Sequence, residues 1–338
     1  MKIFVKTIFL WVVTLLSSTT LSAASSWIPD ILGDGYEMRY VDQPDDYSGK
    51  VRSTIVRKQS PCGGNKGVLY VHGFNDYFFN AEMGDRFVDS CYNFYAVDLR
   101  KYGRSIMEGQ KMFQVHNLNE YFPDIDSAIV QMKNDGVSEI VLMGHSTGGL
   151  ITSLYMNDHP DKAIKVLILN SPFLDWNQSK FQEKFAIPLL DTFGGLLPNK
   201  RIPQDGSDLY ARSLLRKYGG DWQYNTDWKL EVSPAVEVSW IKAIDEGQYI
   251  LQNDSHINVP ILLMHSDASY KKNSPADAYR YTDAVLDVDD ISRYGRELGI
   301  LITEITVKGG LHDLVLSRKE VKDALYDYMF GWLDRQNL

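Results

Sequence analysis

One serine in the chain stands in a setting that catalysis could use. The stretch EIVLMGHSTGGL, residues 139–150, places Ser146 between Gly144 and Gly148. The apolar run before it is typical of a buried strand, and the LITSLYMND segment after it is typical of a helix. A strand that turns directly into a helix forces its turn residue to positive φ, and flanking glycines remove side chains that would collide there. The pattern predicts a nucleophilic serine; the alternative is a serine that merely caps the helix.

A serine hydroxyl needs a base to become a useful nucleophile, and seven histidines could supply one. His312 is the best placed, because it follows the last predicted strand in the loop KGGLHDLVL. Functional residues gather at the carboxyl ends of parallel strands, and this position also follows the chain order serine, acid, histidine. His72, in the early HGF stretch, is interpreted instead as a buried structural histidine bonded within its own loop.

The acid that orients the base should lie in the loop after the ILLMH strand. A loop, a helix, a strand and a second loop must fit between acid and base, which takes on the order of 25–35 residues. Asp283 lies 29 residues before His312, whereas Asp267 lies 45 and Asp287 lies 25 residues before it. The spacing favours Asp283, with residues 268–282 as an extra excursion of the loop, and Asp267 stays open as the alternative acid.

Acyl transfer also requires hydrogen-bond donors for the charged oxygen of its tetrahedral intermediate. One expected donor is the backbone N–H of Thr147, directly after the serine. The other is the N–H of Phe74 in the stretch VLYVHGF, where Gly73 lets the backbone approach closely. The sequence contains no H-E-x-x-H motif and no cysteine cluster, so neither a metal nor a cofactor is expected.

These residues need a scaffold, and the chain supplies alternating strand-like and helix-like segments. Short apolar runs rich in β-branched residues predict strands, most of them buried on both faces: STIVRK, GVLYVH, FYAVDL, EIVLMG, VLILN, ILLMH and LITEITV. Helical periodicity lies between them, around residues 121–132, 291–298 and 321–332. This alternation predicts an α/β fold with a mostly parallel central sheet flanked by helices.

One interval breaks the rhythm. Residues 171–259 contain no clear strand and are rich in Trp, Tyr and Pro, which predicts an inserted lid of short helices. The expected core is therefore split into residues 25–170 and 260–338. The aromatic side chains of the insertion either form an apolar groove for an acyl chain or build the insertion's own core, and the sequence favours neither.

Residues 1–24 have the layout of a secretory signal peptide: Lys2 and Lys6 at the start, a short apolar block, and small residues at the end. An uncleaved membrane anchor is the alternative, although the apolar block is short for a membrane span. The protein is therefore expected to be exported, as a periplasmic or secreted protein. In an oxidising compartment Cys62 and Cys91, the two cysteines of the chain, are expected to form a disulfide; the alternative is two free thiols.

The composition of the chain limits the kinds of partner that the protein is expected to bind. The chain has 338 residues, of which 44% are hydrophobic, enough to bury a large core. The formal net charge is −9, and no basic run accompanies it. The sequence therefore argues against a nucleic-acid partner and says nothing about the oligomeric state.

Several of these motifs resemble the α/β-hydrolase superfamily, and more narrowly its monoacylglycerol lipase and lysophospholipase branch, often grouped with serine aminopeptidase-like hydrolases. YVHGFNDY resembles the oxyanion segment of that branch, GHSTGG its serine elbow, and KGGLHDLVLS its histidine loop. VDLRKYGRS is similar to its D-x-R-G-x-G-x-S run, with Lys101 and Tyr102 in place of the usual small residue and histidine. SDASY and TDAVLDVDD resemble its acid loop, lengthened by extra residues.

The resemblance implies that the protein hydrolyses small-molecule carboxylic esters, such as monoacylglycerols or lysophospholipids, beneath a lid. It leaves transient contact with membrane lipid open. Two other functions remain: an exported peptidase or amidase on the same fold, because a serine triad also serves amides, and a non-catalytic binding protein that keeps the fold.

Overall fold

The structure is a computed structural model that describes residues 26–159, 161–176, 199–203, 207–272 and 274–338. The predicted signal peptide and part of the predicted insertion lie outside the described residues. Among the helices within these ranges, none combines the length and the apolar character needed to cross a membrane.

The scaffold is a twisted central sheet and a separate two-stranded one. The strands are β1 (Ile28–Pro29), β2 (Glu37–Asp46), β3 (Gly49–Lys58), β4 (Lys66–Val71), β5 (Asn93–Asp98), β6 (Glu139–His145), β7 (Ile164–Asn170), β8 (Arg201–Ile202), β9 (Val236–Glu237), β10 (Ile261–Ser266) and β11 (Ile302–Val307). The central sheet has the order β1-β2-β3-β5-β4-β6-β7-β10-β11, and β8 pairs with β9. Pairing is antiparallel from β1 to β5 and parallel from β5 to β11, which brings the carboxyl ends of the parallel strands to one edge.

Helices flank this sheet, as the alternation of sequence patterns predicts. The described helices are α1 (Ala81–Asp89), α2 (Phe122–Asn134), α3 (Thr147–Asp158), α4 (Leu209–Leu214), α5 (Val238–Asp254), α6 (Val288–Gly295) and α7 (Lys319–Arg335). Short 3₁₀ turns cover Gly103–Ser105, Leu118–Tyr121, Arg216–Tyr218, Asp277–Arg280 and Leu314–Leu316.

The core lies on both faces of the sheet. In β4, Val68 and Tyr70 belong to one buried apolar cluster, and Leu69 and Val71 belong to the cluster on the opposite face. Side chains alternate along a strand, so a strand covered on both faces is apolar at every position. The central parallel strands therefore carry the continuous apolar runs that the sequence predicts.

Three parts of the fold differ from the sequence expectation: β2, the long helix α5, and the short paired strands β8 and β9, which lie in the interval where no clear strand was expected. The sequence patterns do not predict β2, because its residues EMRYVDQPDD alternate poorly and include a proline. They predict only short helices in the insertion, yet α5 has 17 residues. Its residues Trp240, Ile244 and Leu251 are buried in the same apolar cluster as Leu154 of α3. Packing against the core gives a long helix its stability, and the aromatic-rich surroundings obscure that periodicity.

The predicted disulfide between Cys62 and Cys91 is confirmed. The two cysteines are exposed and lie just before β4 and just before β5, so the bond is at the amino ends of the parallel strands. It closes a loop of 29 residues at the edge of the sheet opposite Ser146. A cross-link of this kind restricts the unfolded chain, and it lies away from the carboxyl edge of the sheet.

Candidate active site

Ser146 occupies the sharp turn between β6 and α3, as the sequence predicts. Its backbone has φ 53° and ψ −120°, a conformation that residues other than glycine rarely adopt. The turn is tight because α3 starts at once: a side chain on Gly148 would collide with the backbone oxygens of Val71 and His72, at 2.3 and 2.4 Å. The tight turn projects the serine hydroxyl outward at the carboxyl edge of the sheet.

The structure brings Ser146, His312 and Asp283 together in one hydrogen-bonded chain. Ser146 Oγ lies 2.9 Å from Nε2 of His312, and Nδ1 of His312 lies 2.8 Å from Oδ2 of Asp283. The carboxylate can only accept, so Nδ1 carries the proton and Nε2 is free to accept the serine proton. All three side chains are buried, and Asp283 is fully so.

Local backbone bonds hold Asp283 in place. Its N–H donates to the oxygen of Ala268 over 2.9 Å, and its own oxygen accepts from Tyr270 N–H over 2.7 Å. The second carboxylate oxygen accepts the N–H groups of Val285 and Leu286, at 2.8 and 2.7 Å. After β10 the chain makes an excursion and then returns, so that Asp283 pairs through its backbone with residues 268–270. This pairing keeps the acid facing the histidine.

Asp267 lies elsewhere. Its side chain is exposed and accepts the N–H of Gly309 over 2.8 Å. This bond fastens the start of the acid loop to the start of the histidine loop. The carboxylate that contacts His312 is that of Asp283, which the residue spacing favoured.

The two backbone segments that are expected to supply the oxyanion donors lie on either side of the serine. Thr147 is the first residue of α3, and the first amides of a helix have no acceptor within the helix. On the other side the loop after β4 passes so close that a side chain on Gly73 would begin 3.0 Å from Cβ of Ser146. This places the backbone leading into Phe74 next to the nucleophile.

His72 has the structural role that the sequence indicated. Its Nε2 accepts the N–H of Leu99 over 3.1 Å, and its Nδ1 lies 2.8 Å from the oxygen of Gly73. The buried ring therefore ties the end of β5 to the loop after β4, which supports the approach of that loop to the serine.

A second layer of buried polar residues, which the sequence patterns do not predict, lies next to the histidine. Asp313 accepts from Nδ2 of Asn170 over 2.7 Å, and Nε2 of His145 lies 3.8 Å from the same carboxylate. Asn170 also accepts the N–H of Leu314 through its Oδ1, at 3.2 Å. The sequence offers one signal for this layer: His145 directly precedes the serine, and Asp313 directly follows the histidine.

Among the described residues, Asp76, His145 and Asp313 form one group whose side-chain atoms could in principle hold a metal, because they lie within 4.8 Å of one another. Both carboxylates already have protein partners. Nζ of Lys229 lies 2.9 Å from Oδ1 of Asp76, and Asn170 donates to Asp313. We therefore assign the group as a polar network in which a lysine ammonium supplies the cation.

His145 gives this layer a pH dependence. Burial lowers the pKa of His145 below its ordinary 6.5, although the Asp313 carboxylate acts in the opposite direction. Below about pH 6.5 the unfolded chain therefore binds a proton that the folded chain resists, and stability is lost as the pH falls toward the lower folded pKa.

We expect the unfolding free energy of the wild type to fall more steeply between about pH 7 and pH 5 than that of His145→Gln, because glutamine has no proton to gain. Urea unfolding at several pH values measures the difference. Parallel curves for the two proteins would contradict the prediction.

The central sheet, the strained serine between β6 and α3, and the serine–histidine–aspartate chain at the carboxyl edge define an α/β hydrolase. The family model of the serine aminopeptidases, S33, matches residues 65–271. The chain belongs to this family. The fold class and the resemblance predicted from the sequence are thereby confirmed.

Solved structures with the same fold include a soluble variant of monoglyceride lipase from Saccharomyces cerevisiae, with a TM-score of 0.64 and 16% identity over 88% of this chain and 96% of that one. The monoacylglycerol lipase of Paleococcus ferrophilus gives a TM-score of 0.57 with 20% identity, over 83% of this chain and 98% of that one. At these identities the similarity establishes the fold alone.

Among curated proteins, the chain is 27% identical to epoxide hydrolase 4 of Mus musculus over 126 residues, which is 36% of this chain and 34% of that protein. Epoxide hydrolase 4 of Homo sapiens matches at 27% identity over 126 residues, 36% of this chain and 33% of that protein. The chain thus matches about a third of the length of these relatives.

Proposed function

We propose that the protein is a serine hydrolase that cleaves carboxylic esters of the monoacylglycerol or lysophospholipid type through an acyl-enzyme. One observation carries the proposal: the continuous chain of hydrogen bonds from Ser146 through His312 to Asp283, at 2.9 and 2.8 Å. This is the arrangement that turns an alcohol into a nucleophile at neutral pH.

In the acylation step, Oγ of Ser146 attacks the carbonyl carbon of the ester while Nε2 of His312 takes the hydroxyl proton. The Asp283 carboxylate stabilises the imidazolium that forms. The carbonyl oxygen becomes an oxyanion and accepts hydrogen bonds from the N–H groups of Thr147 and Phe74. When the intermediate collapses, the C–O bond to the alcohol breaks and His312 returns the proton to the leaving oxygen.

In the deacylation step, water takes the place of the alcohol. His312 removes a proton from the water, which attacks the acyl carbon of the acyl-Ser146 ester. A second oxyanion forms between the same two amides and collapses. The proton returns to Oγ of Ser146, and the carboxylic acid leaves. Each step uses groups that the described residues supply, together with water.

An aromatic cluster beside the serine supports an acyl substrate. The N–H of Phe173 donates to the backbone oxygen of Ser146 over 3.0 Å, and the ring of Phe173 packs on that of Trp176. The ring of Phe74 contacts that of Trp240 at 4.6 Å between centroids. Phe173, Trp176 and Trp240 are buried in the apolar core beside the nucleophile, and apolar surroundings of this kind favour an acyl chain over a polar substituent.

A substrate panel tests this function. It contains p-nitrophenyl esters of increasing acyl length, a monoacylglycerol, a lysophosphatidylcholine and several aminoacyl p-nitroanilides. We expect turnover of the esters, with kcat/KM rising from acetyl to longer chains because each buried methylene contributes about 0.8 kcal/mol. A flat profile across acyl length would count against the apolar groove.

The name of the family gives a reason to keep amide hydrolysis as the second candidate. The acylation chemistry is the same, but the leaving group is an amine that His312 must protonate. Turnover of the aminoacyl anilides without turnover of any ester would favour this peptidase function. A protein that neither turns over the panel nor reacts with a fluorophosphonate probe would instead be a binding protein.

We also propose that the protein is exported. Export is supported by the signal-like layout of residues 1–24 and by the exposed disulfide between Cys62 and Cys91, since exposed disulfides persist in oxidising compartments. Sequencing the amino terminus of the protein purified from its native cells tests this: a chain that still begins at Met1 contradicts cleavage.

A further inference from the structure

Residues 222–231 of the insertion lie directly against the loop that follows β4. We call them the strap, and we call residues 73–79 the oxyanion loop, because the proposed donor Phe74 belongs to them. Asn75 joins the two: its Nδ2 donates to the backbone oxygen of Leu230 over 2.9 Å, and its Oδ1 accepts the N–H of Leu230 over 2.8 Å. A side-chain amide that satisfies both backbone groups of one residue fixes direction as well as distance.

This link acts on a strained position. Asn75 has φ 50°, in the left-handed region that asparagine enters more readily than most residues but still at a cost. Its side chain is held by Leu230 of the strap. The strap therefore holds the backbone conformation of the residue that directly follows Phe74, and with it the direction of the oxyanion-loop amides.

A buried ion pair forms the second link. Nζ of Lys229 in the strap lies 2.9 Å from Oδ1 of Asp76 in the oxyanion loop, and the two side chains are only 10% and 3% exposed. The same Oδ1 accepts the N–H of Tyr77 over 2.9 Å. A buried carboxylate without its cation is costly, so the pair couples the position of the loop to the presence of the strap.

Aromatic contacts extend the interface. The ring of Tyr77 meets that of Trp228 edge to face at 5.2 Å, and the ring of Phe79 packs on that of Tyr224 at 5.1 Å. Burial raises the pKa of Tyr77 to about 12, so its hydroxyl stays protonated while its oxygen accepts the N–H of Asn225 over 2.8 Å. These contacts bury the oxyanion loop beneath the strap along most of its length.

The strap also reaches the histidine loop. Nε1 of Trp222 donates to the backbone oxygen of Leu316 over 2.8 Å, in the 3₁₀ turn that follows His312. One segment of the insertion thus contacts the loops that carry the proposed oxyanion donor and the proposed base.

The core holds the oxyanion loop at both ends, and at the near end Nδ1 of His72 lies 2.8 Å from the oxygen of Gly73. At the far end, the N–H of Phe78 donates to Oδ1 of Asp98 over 2.9 Å, and its oxygen accepts from Arg104 over 2.9 Å. Between these ends, Asn75 and Asp76 have the side-chain partners in the strap described above, whereas the ring of Phe74 packs on those of Phe113 and Trp240. The strap therefore adds a constraint on the two residues that directly follow Phe74, where geometry matters for catalysis.

We propose that the strap is a positioning device for the oxyanion hole, and that Lys229 and Asn75 are positioning residues which act through the oxyanion loop. The proposal rests on the proposed function. Its consequence is specific: weakening the strap misplaces the Phe74 amide for the transition state and leaves the binding of the ground-state ester largely intact.

The experiment measures kcat and KM on a p-nitrophenyl ester, and Ki for a trifluoromethyl ketone analogue. The analogue forms a covalent adduct when Ser146 Oγ adds to the ketone carbon, its proton passes to His312 and the ketone oxygen becomes an oxyanion. Asn75→Gly removes both bonds to Leu230 and suits the positive φ. Lys229→Met removes the cation, and Lys229→Arg keeps the charge.

We expect Asn75→Gly and Lys229→Met to lower kcat about 10- to 100-fold and to raise Ki by a similar factor, with KM within about threefold of wild type. Lys229→Arg should recover most of kcat. Because Lys229→Met leaves Asp76 buried without its cation and can lower the folded fraction, the double variant Asp76→Asn/Lys229→Met is measured beside it. This variant carries no uncompensated charge and should still lose kcat.

Arg57→Met is the matched control. It breaks two ion pairs of Arg57 at the edge of the sheet opposite the serine: one with Asp135, at 2.8 Å and with 12% and 13% exposure, and one with Glu37, at 2.9 Å. It should lose stability and keep kcat. Unchanged kcat and Ki in Asn75→Gly and in the double variant would overturn the proposed role of the strap. Equal losses in Arg57→Met would overturn it as well. A wild type without esterase activity and without fluorophosphonate labelling would overturn the proposed function as well, which separates the two failures.

Discussion

Replacing Ser146 by alanine should reduce ester hydrolysis about 10⁴-fold or more in kcat, because no other described group replaces Oγ in the 2.9 Å contact with His312. The residual rate would come from binding and from the oxyanion donors, which the substitution leaves in place. Initial rates on p-nitrophenyl esters measure the loss, and a fluorophosphonate probe should no longer label the protein.

A matched control lies in the same helix. Ser153 is buried, and its Oγ donates to the backbone oxygen of Gly149 over 2.8 Å, within α3 itself. Ser153→Ala removes one buried hydroxyl from α3 as Ser146→Ala removes one from its start, and it should keep wild-type activity. If Ser146→Ala kept its rate while folding normally, the proposed mechanism would be wrong.

The second large effect concerns the acid. In Asp283→Asn the amide can still accept the N–H groups of Val285 and Leu286 through Oδ1, so the loop should keep its shape. Its NH₂ group then faces Nδ1 of His312 and favours the opposite tautomer, in which Nε2 carries the proton and cannot accept another. We expect kcat to fall by about 10³- to 10⁴-fold.

Asp267→Asn is the matched comparison, since it makes the same chemical change at the other candidate acid. The 2.8 Å bond from the N–H of Gly309 to Asp267 lies away from the imidazole, and the amide oxygen of the variant can still accept it. We expect a rate within about threefold of wild type, because no tautomer is altered. A large loss in Asp267→Asn with little loss in Asp283→Asn would reverse the assignment.

The positions of the parallel strands and the choice of the three site residues followed from local sequence patterns. Apolar runs locate the parallel strands, and the serine motif needs only its adjacent strand and helix to be interpreted. The spacing of 29 residues between acid and base favoured Asp283, because one helix and one strand have to fit in that length. Each of these inferences depends on residues close in sequence or on standard element lengths.

The strap and the polar layer could not be predicted in that way. Asn75 and Leu230 are 155 residues apart, and Asn170 and Asp313 are 143 apart, so no local pattern pairs them. A lone lysine such as Lys229 in an aromatic-rich insertion gives no sign of being buried until the loop after β4 supplies Asp76. Contacts of this kind are set by tertiary packing, which sequence periodicity does not encode.

Residues 268–270 pair through their backbone with Asp283. Because of this pairing, the position of the catalytic carboxylate does not depend on how many residues lie between the two paired points. Whatever lies between these two points forms a closed side branch, and the entropic cost of lengthening such a branch grows only slowly. Evolution or a protein engineer can therefore enlarge, trim or exchange that branch as a variable module at the rim of the site while the carboxylate keeps its place.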